Sequence, residues 1–297
     1  MKISFDLLKK KVNARGFGPS AHLALLNLYE ESSLLVAGSS KISLTSKVDG
    51  KTYFAFSTGP KVLSRAINEL LFDPSTELVM DILKDLLQGK RQGWTAAQIT
   101  KAFYTVAITC CAARDLTSTS DRKTQGTFFE YLCAMIIQGT LGVIPTRSLP
   151  VLNLDLKGSL PTDFIFDLGP EKPKFHLPVK TSTRERIIQV WAHQRVLDGV
   201  YGVGRFLAIP FILTETKLDV AKQEVTEICL PWQWRLYQMH IASLWNVCYL
   251  DMPNGYRALD TVFPRVAIST VGEFLEKDGR LDQLLDSHQL SRNDQSI

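Results

Sequence analysis

Asp163 and Lys180 are the residues whose types and spacing best suit chemistry in this sequence, with Glu130 as a third candidate. Lys180 ends the run FHLPVK, which begins like a strand. It is followed at once by the hydroxyls Thr181, Ser182 and Thr183 and the charges Arg184, Glu185 and Arg186. An acid and a lysine that converge at a strand end, next to a helix start, suit metal-assisted attack on a phosphodiester. The acid binds Mg2+ through oxygen. The lysine stabilises an anion and orients a water, whose pKa the metal lowers. Phosphodiesters resist hydrolysis strongly, so electrostatic preorganisation must supply on the order of 20 kcal/mol.

The elements that would bring the pair together are two strands, DFIFDL (163–168) and FHLPVKT (175–181), joined by the Gly/Pro turn GPEKPK. A hairpin centred on Glu171 and Lys172 places Asp163 opposite Lys180, with Cβ atoms roughly 5 Å apart. A one-residue slip would send the two to opposite faces, whereas a two-residue shift keeps the face and leaves Asp167 as the competitor of Asp163. The bland readings are a cross-strand surface pair for Asp163 and Lys180, and a solvated helix start for Arg184 to Arg186. Glu130 also fits the exposed stripe of an amphipathic helix.

Around this hairpin the sequence predicts an α/β protein with a mixed central sheet. Residues 1–118 read as a mainly helical N-terminal region, and 119–297 as a core with a C-terminal helical or mixed extension. The helical spacing covers AHLALLNLYEE with Ser20 as cap, PKVLSRAINELLF (60–72), STELVMDILKDLL with Ser75, and TAAQITKAFYTVAITCCAA with Thr95. The alternation around Asp49 and Gly50 predicts a hairpin. A loop over 114–125 leads to the helix GTFFEYLCAMIIQGTLG, which carries Glu130. VLNLDL (151–156) reads as a strand, a helix follows over about 183–198, and RFLAIPFILTET (205–216) is apolar enough for a central strand. GVYGVG (199–204) reads as a helix end and turn rather than a phosphate loop, because no GK[ST] follows. The aromatics Trp232, Trp234, Tyr237, Trp245 and Tyr249 suit core or a dimer interface better than base stacking. The tail SRNDQSI reads as frayed, and His176 and His240 as residues without a functional role.

Composition sets wide bounds. The 297 residues are 45% hydrophobic and 22% charged, with a formal net charge of +4, too weakly basic to imply nucleic acid by itself. The five cysteines have no CxxC or zinc-ligand spacing and read as reduced core residues. No signal peptide or membrane span is expected, and the localisation expected is cytoplasmic.

The segments PTD (Pro161 to Asp163) and VK (Val179, Lys180) resemble the PD-(D/E)xK nuclease motif. The run KTSTRER is similar to the K-T-x-x-[KR]-[DE]-R run of type II restriction endonucleases that recognise CCGG, or CC and GG separated by a few bases. The resemblance covers roughly residues 119–215. It implies Asp163, Lys180 and Glu130 as catalytic residues, and Mg2+ held by Asp163, Glu130 and the Val179 carbonyl. Thr181, Ser182 and Thr183 would contact phosphates, while Arg184, Glu185 and Arg186 would read C·G pairs in the major groove. The motif's D/E position holds Pro178. The glutamate that replaces it in this subgroup lies on the next helix, where His193 and Gln194 stand here. The expected partners are double-stranded DNA and a second copy of the chain, since palindromic sites suit two-fold symmetry. A cognate methyltransferase is expected in a prokaryotic host. Two other functions remain open: a DNA-binding protein with catalysis impaired, and a repair nuclease without sequence preference.

Overall fold

The structure is a computed structural model that describes residues 4–59, 62–118, 121, 123–153 and 156–290. The chain opens with helices α1 (Phe5–Arg15) and α2 (Pro19–Ala37). A hairpin follows, β1 (Ser40–Ser46) and β2 (Tyr53–Gly59), then the short strands β3 (Val62–Leu63) and β4 (Ile67–Asn68). Next come α3 (Thr76–Leu87), α4 (Ala96–Thr117) and α5 (Lys123–Leu141). Strands β5 (Thr146–Asn153), β6 (Leu156–Phe166), β7 (Lys174–Leu177) and β8 (Val179–Lys180) lead through a tight 3-10 turn, Arg184–Ile187, into α6 (Ile188–Tyr201). The remainder is β9 (Phe206–Ala208), β10 (Phe211–Ile212), β11 (Thr216–Asp219), β12 (Glu224–Glu227), α7 (Pro231–His240) and β13 (Val247–Tyr249). A 3-10 turn at Asn254–Asp260, β14 (Ile268–Thr270), α8 (Val271–Leu275) and α9 (Arg280–Leu290) complete it.

The central sheet is easiest to follow from two prolines. β7 runs parallel to β9 with His176 opposite Ala208, and β8 runs parallel to β10 with Val179 opposite Phe211. The offset is the same in both, so Pro178 falls opposite Pro210. Proline has no N–H and cannot complete a ladder. Each of the two runs is therefore interrupted at its proline, and the pairing resumes beyond it in the same register. The carbonyls still bond: Phe211 N donates to Pro178 O at 2.8 Å and Cys248 N to Pro210 O at 2.9 Å. On one side β5 and β6 extend the sheet antiparallel, and on the other β13 and β14 extend it parallel. This is the mixed central sheet expected from the sequence.

A second sheet, ordered β11-β12-β1-β2-β3 with β4 also on β2, is built around the predicted hairpin at Asp49 and Gly50. The apolar core runs from Phe5 on α1 to Leu284 on α9, with α4 buried along most of its length. α5 packs on α3 where Gly139 meets the end of α3; a Cβ there would lie 2.6 Å from the Leu87 carbonyl oxygen. That close approach fixes the helix that carries Glu130. A smaller cluster behind α6 stacks Trp234 on Tyr256 and Tyr249, so Trp234 and Tyr249 are core while Trp232 is exposed.

Several expectations are corrected. Residues 62–68 form β3 and β4 on the edge of β2 rather than a helix, and Pro60 and Lys61 lie outside the described residues. Apolar spacing there suits either period, and pairing with β2 decides it: Ile67 lies opposite Phe54, and Phe56 N donates to Ser64 Oγ at 2.9 Å. The expected strand 151–156 spans the turn of the β5–β6 hairpin, with Leu154 and Asp155 outside the described residues. The expected strand 205–216 is divided at Pro210. Pro19 opens α2 after Gly18, so Ser20 is inside the helix and not its cap. The loop expected over 114–125 is shorter, since α4 runs to Thr117 and α5 starts at Lys123. Thr95 does cap α4, with Gln98 in a reciprocal capping box, and Gly202 ends α6 at a positive φ of 97°. The tail 291–297 lies outside the described residues. The five cysteines are free, and among the described residues no helix is long and apolar enough to cross a membrane.

Candidate active site

Asp163 stands near the end of β6 and Lys180 at the end of β8. The hairpin register pairs Phe164 with Leu177, so Asp163 falls opposite Pro178 and not opposite Lys180. The turn is tighter by two residues than the sequence suggests. Because the shift is even, Lys180 stays on the face of Asp163. Its side chain reaches back, and Lys180 Nζ donates to Asp163 Oδ2 at 2.8 Å. Val179 N–H donates to the same oxygen at 2.8 Å. The two side chains remain 35% and 21% exposed, open enough to meet a ligand. Asp167 is at the far end of the strand, exposed and paired with Lys174, so the geometry separates it from Lys180.

The carbonyls of Pro178 and Lys180 are taken by Phe211 N and Leu213 N of the neighbouring strand. Strand alternation then turns the Val179 carbonyl to the opposite edge, the side of Asp163. Glu130 projects from α5, which packs on β8. Burial and the nearby Asp163 charge push its carboxyl above the usual range, while Arg147 and Lys180 pull it down. Glu130 and Asp163 thus influence each other electrostatically, on the side of the strand to which the Val179 carbonyl turns. Arg147 is held there by stacking on Phe164 and Tyr131, with centroid distances of 4.9 and 5.2 Å. Nothing in the sequence around Arg147 singles it out.

A cleft of about 30 Å³, room for roughly one water, is lined by Asp163, His176, Pro178, Lys180, Gln189, Val190 and His193. The structure thus separates the two residues at the place of the missing acid. His193 faces the cleft, its pKa lowered by burial and by Lys180. Gln194 faces away, donating to Asp198 Oδ1 and to the Phe206 carbonyl. His176, to which the sequence reading gave no role, also lines the cleft. It is fully buried, neither ring nitrogen has a hydrogen-bond partner among the described residues, and burial followed by His193 pushes its pKa down to about 3. Among the described residues, no group of three or more His, Cys, Asp or Glu side chains is placed to hold a metal ion.

Ser182 and Thr183, after Lys180, direct their hydroxyls to a buried acid. Ser182 Oγ donates to Glu215 Oε2 at 2.9 Å, and Thr183 N–H meets both carboxylate oxygens at 3.0 and 3.1 Å. Thr183 Oγ1 also bonds Glu215. Glu215 was missed by sequence reasoning, and its only signal is an acid directly after the apolar strand FILT. Arg186 is exposed, whereas the side chains of Arg184 and Glu185 lie outside what the structure describes.

No family model matches the sequence, and no curated protein matches it. Among solved structures, the chain is similar to the crystal structure of the type IIP restriction endonuclease Kpn2I. The TM-score is 0.77 at 24% identity, covering 91% of this chain and 93% of that one. The chain has a restriction-endonuclease fold. A second match, the restriction endonuclease PspGI in a complex with substrate DNA, has a TM-score of 0.42 at 12% identity and covers 73% of this chain and 94% of that one. In the restriction-endonuclease fold of this chain, Asp163 and Lys180 are in contact where the central strands are interrupted, and Glu130 lies within their electrostatic reach.

Proposed function

We propose that the chain is a type II restriction endonuclease that hydrolyses double-stranded DNA at a site containing a CC/GG element, with Mg2+ as cofactor. The observation that carries this reading is the convergence of Lys180 and Asp163 beside Glu130, on a fold shared with Kpn2I over most of both chains. The residues fit a divalent cation. Asp163, Glu130 and the Val179 carbonyl would hold it, and the crowding that raises Glu130 is what a cation relieves. Bound there, Mg2+ would acidify a water and neutralise charge developing on the phosphate. Lys180 holds a positive charge at the scissile phosphate and orients the attacking water, and Asp163 keeps the lysine in place. Arg184, Glu185 and Arg186 read base edges one turn further on, and Thr181 contacts the phosphate. A palindromic site calls for a homodimer. We assign dimer contacts or a DNA clamp to the N-terminal 118 residues.

Mapping of cut ends after digestion of a known genome tests this. Discrete ends sharing a C·G-containing half-site are expected; a smear, or a half-site with no C·G pair, refutes the reading of Arg184 to Arg186. Arg186→Ala is expected to cost roughly 1–3 kcal/mol of discrimination at one base pair while leaving non-specific binding nearly intact. Specific and non-specific Kd values check this, because loss of a mere phosphate contact would weaken all sequences alike.

Pro178 at the position of the second acid favours one other reading, a DNA-binding protein without catalysis. Plasmid incubation with and without Mg2+ separates the two. Glu130→Gln, which keeps shape and removes charge, is expected to slow cleavage about 10²-fold, with little change in DNA affinity and partial rescue by Mn2+. Unchanged single-turnover rates would return Glu130 to a surface role.

A further inference from the structure

The turn between Lys180 and Arg184 is tied to the neighbouring segment beyond β10. Thr183 immediately precedes the 3-10 turn Arg184–Ile187 and makes no side-chain cap to that segment. Its own N–H and hydroxyl go instead to Glu215, which holds the residue leading into the segment. Glu215 is 1% exposed and sits just beyond β10, the strand that runs parallel to β8. Its carboxylate takes Ser182 Oγ, Thr183 N and Thr183 Oγ1 from the turn, and Tyr249 OH from the other side at 3.1 Å. Tyr249 is itself fully buried and stacked against Trp234, so Glu215 is anchored to a rigid aromatic cluster. The backbone ladder reinforces the link: Leu213 N donates to Lys180 O at 3.0 Å and Thr214 N to Thr181 O at 3.3 Å. The hydroxyls of Ser182 and Thr183 are thereby directed into the protein. A buried anion at a helix start is also favoured by the backbone dipoles there.

We propose that Glu215 is a positioning residue for sequence recognition: it locks the turn after Lys180 so that Arg184, Glu185 and Arg186 meet base edges in one fixed geometry. This rests on the proposed DNA-reading role of that triplet. Base readout needs side chains held to a fraction of an ångström, and a turn held only by its own backbone would not deliver that. Glu215 touches no substrate in this scheme. Its effect is on discrimination between sites rather than on attraction to DNA in general.

The test measures cleavage at the mapped site and at sites differing by one base pair, together with affinity for a non-specific duplex and Tm. Glu215→Gln keeps the shape but turns amide hydrogens toward donors. It is expected to lower the ratio of cognate to one-base-variant cleavage by roughly tenfold or more, with non-specific affinity unchanged. Glu215→Asp is expected to restore part of the ratio. A folded Glu215→Gln protein with the wild-type ratio overturns the proposal, as does an equal loss on all sequences, which marks a purely structural role. Should Glu215→Gln fail to fold, Thr183→Val removes one donor from the turn side, and the same two outcomes decide. A wild-type chain that binds and cuts no site selectively refutes the proposed function itself, a result distinct from a wild-type protein that discriminates and a Glu215 variant that does so equally well.

Discussion

Lys180→Ala is expected to reduce DNA cleavage by about 10³-fold or more while leaving cognate binding in place, the loss expected when a charge aimed at the reacting phosphate is removed. Among the described residues the Lys180 ammonium hydrogen-bonds Asp163, and its removal should not unfold the strand end: Leu213 N still bonds the residue's carbonyl and Val179 N–H still bonds Asp163. Asp163→Asn is expected to be as inactive. It retains an oxygen for Val179 N–H but lacks the charge that pairs with Lys180 and that we assign to the cation. Single-turnover cleavage and gel shift measured side by side check both. Wild-type rates in either variant would remove the pair from the mechanism. Asp167→Ala serves as the control, since Asp167 pairs with Lys174 at the other end of the strand, and it should cut normally.

The legibility of this site in the sequence follows from what each residue depends on. Asp163 and Lys180 sit on adjacent strands of one hairpin, and period-two alternation fixes their shared face under any even shift. The face was therefore readable although the register was not. Each residue of β6 pairs two positions earlier on β7 than a hairpin centred on Glu171 and Lys172 requires, which moves the midpoint to Pro170 and Glu171. The division of the strands was also hidden: FHLPVK and RFLAIPFI each look like one uninterrupted strand, and the common register on both sides places Pro178 opposite Pro210, where each is divided. Glu215 and Arg147 were illegible for another reason. Each reaches the site through long-range packing that local periodicity does not identify, Arg147 from β5 and Glu215 from the segment between β10 and β11. His193 and Gln194 are adjacent in sequence, and helix geometry sends one to the cleft and the other to Asp198. Residues 62–68 show the limit from the opposite side: their apolar spacing fits a helix, and the free edge of β2 overrides it.

Lys51→Met is expected to destabilise the fold by about 3–5 kcal/mol, the cost of leaving buried acids without their cation. Lys51 follows the hairpin turn at Asp49 and Gly50 and is only 10% exposed. Its Nζ bonds Glu227 at 2.5 Å, Asp251 at 2.8 Å and the Met252 carbonyl at 2.7 Å, and Asp251 is 2% exposed. Asn68 also donates to Asp251, and Thr214 Oγ1 donates to its other oxygen. One lysine thus ties the second sheet to the end of β13 and to the residue before Glu215. Denaturant unfolding measures the effect, and two further substitutions test its cause. If the loss comes from uncompensated charge, Lys51→Met with Asp251→Asn and Glu227→Gln should be less destabilised than Lys51→Met alone, since groups in one network do not add independently. A loss under about 1 kcal/mol would place Lys51 among solvent-screened ion pairs instead. The same network bears on recognition. Thr214, which bonds Asp251, and Glu215, which bonds the turn after Lys180, are consecutive residues between β10 and β11, so we expect a displacement of Asp251 to be felt at that turn. Lys51→Met is accordingly expected to loosen discrimination between sites at temperatures well below its own Tm, whereas a destabilising change remote from this strand should leave discrimination intact until the protein unfolds.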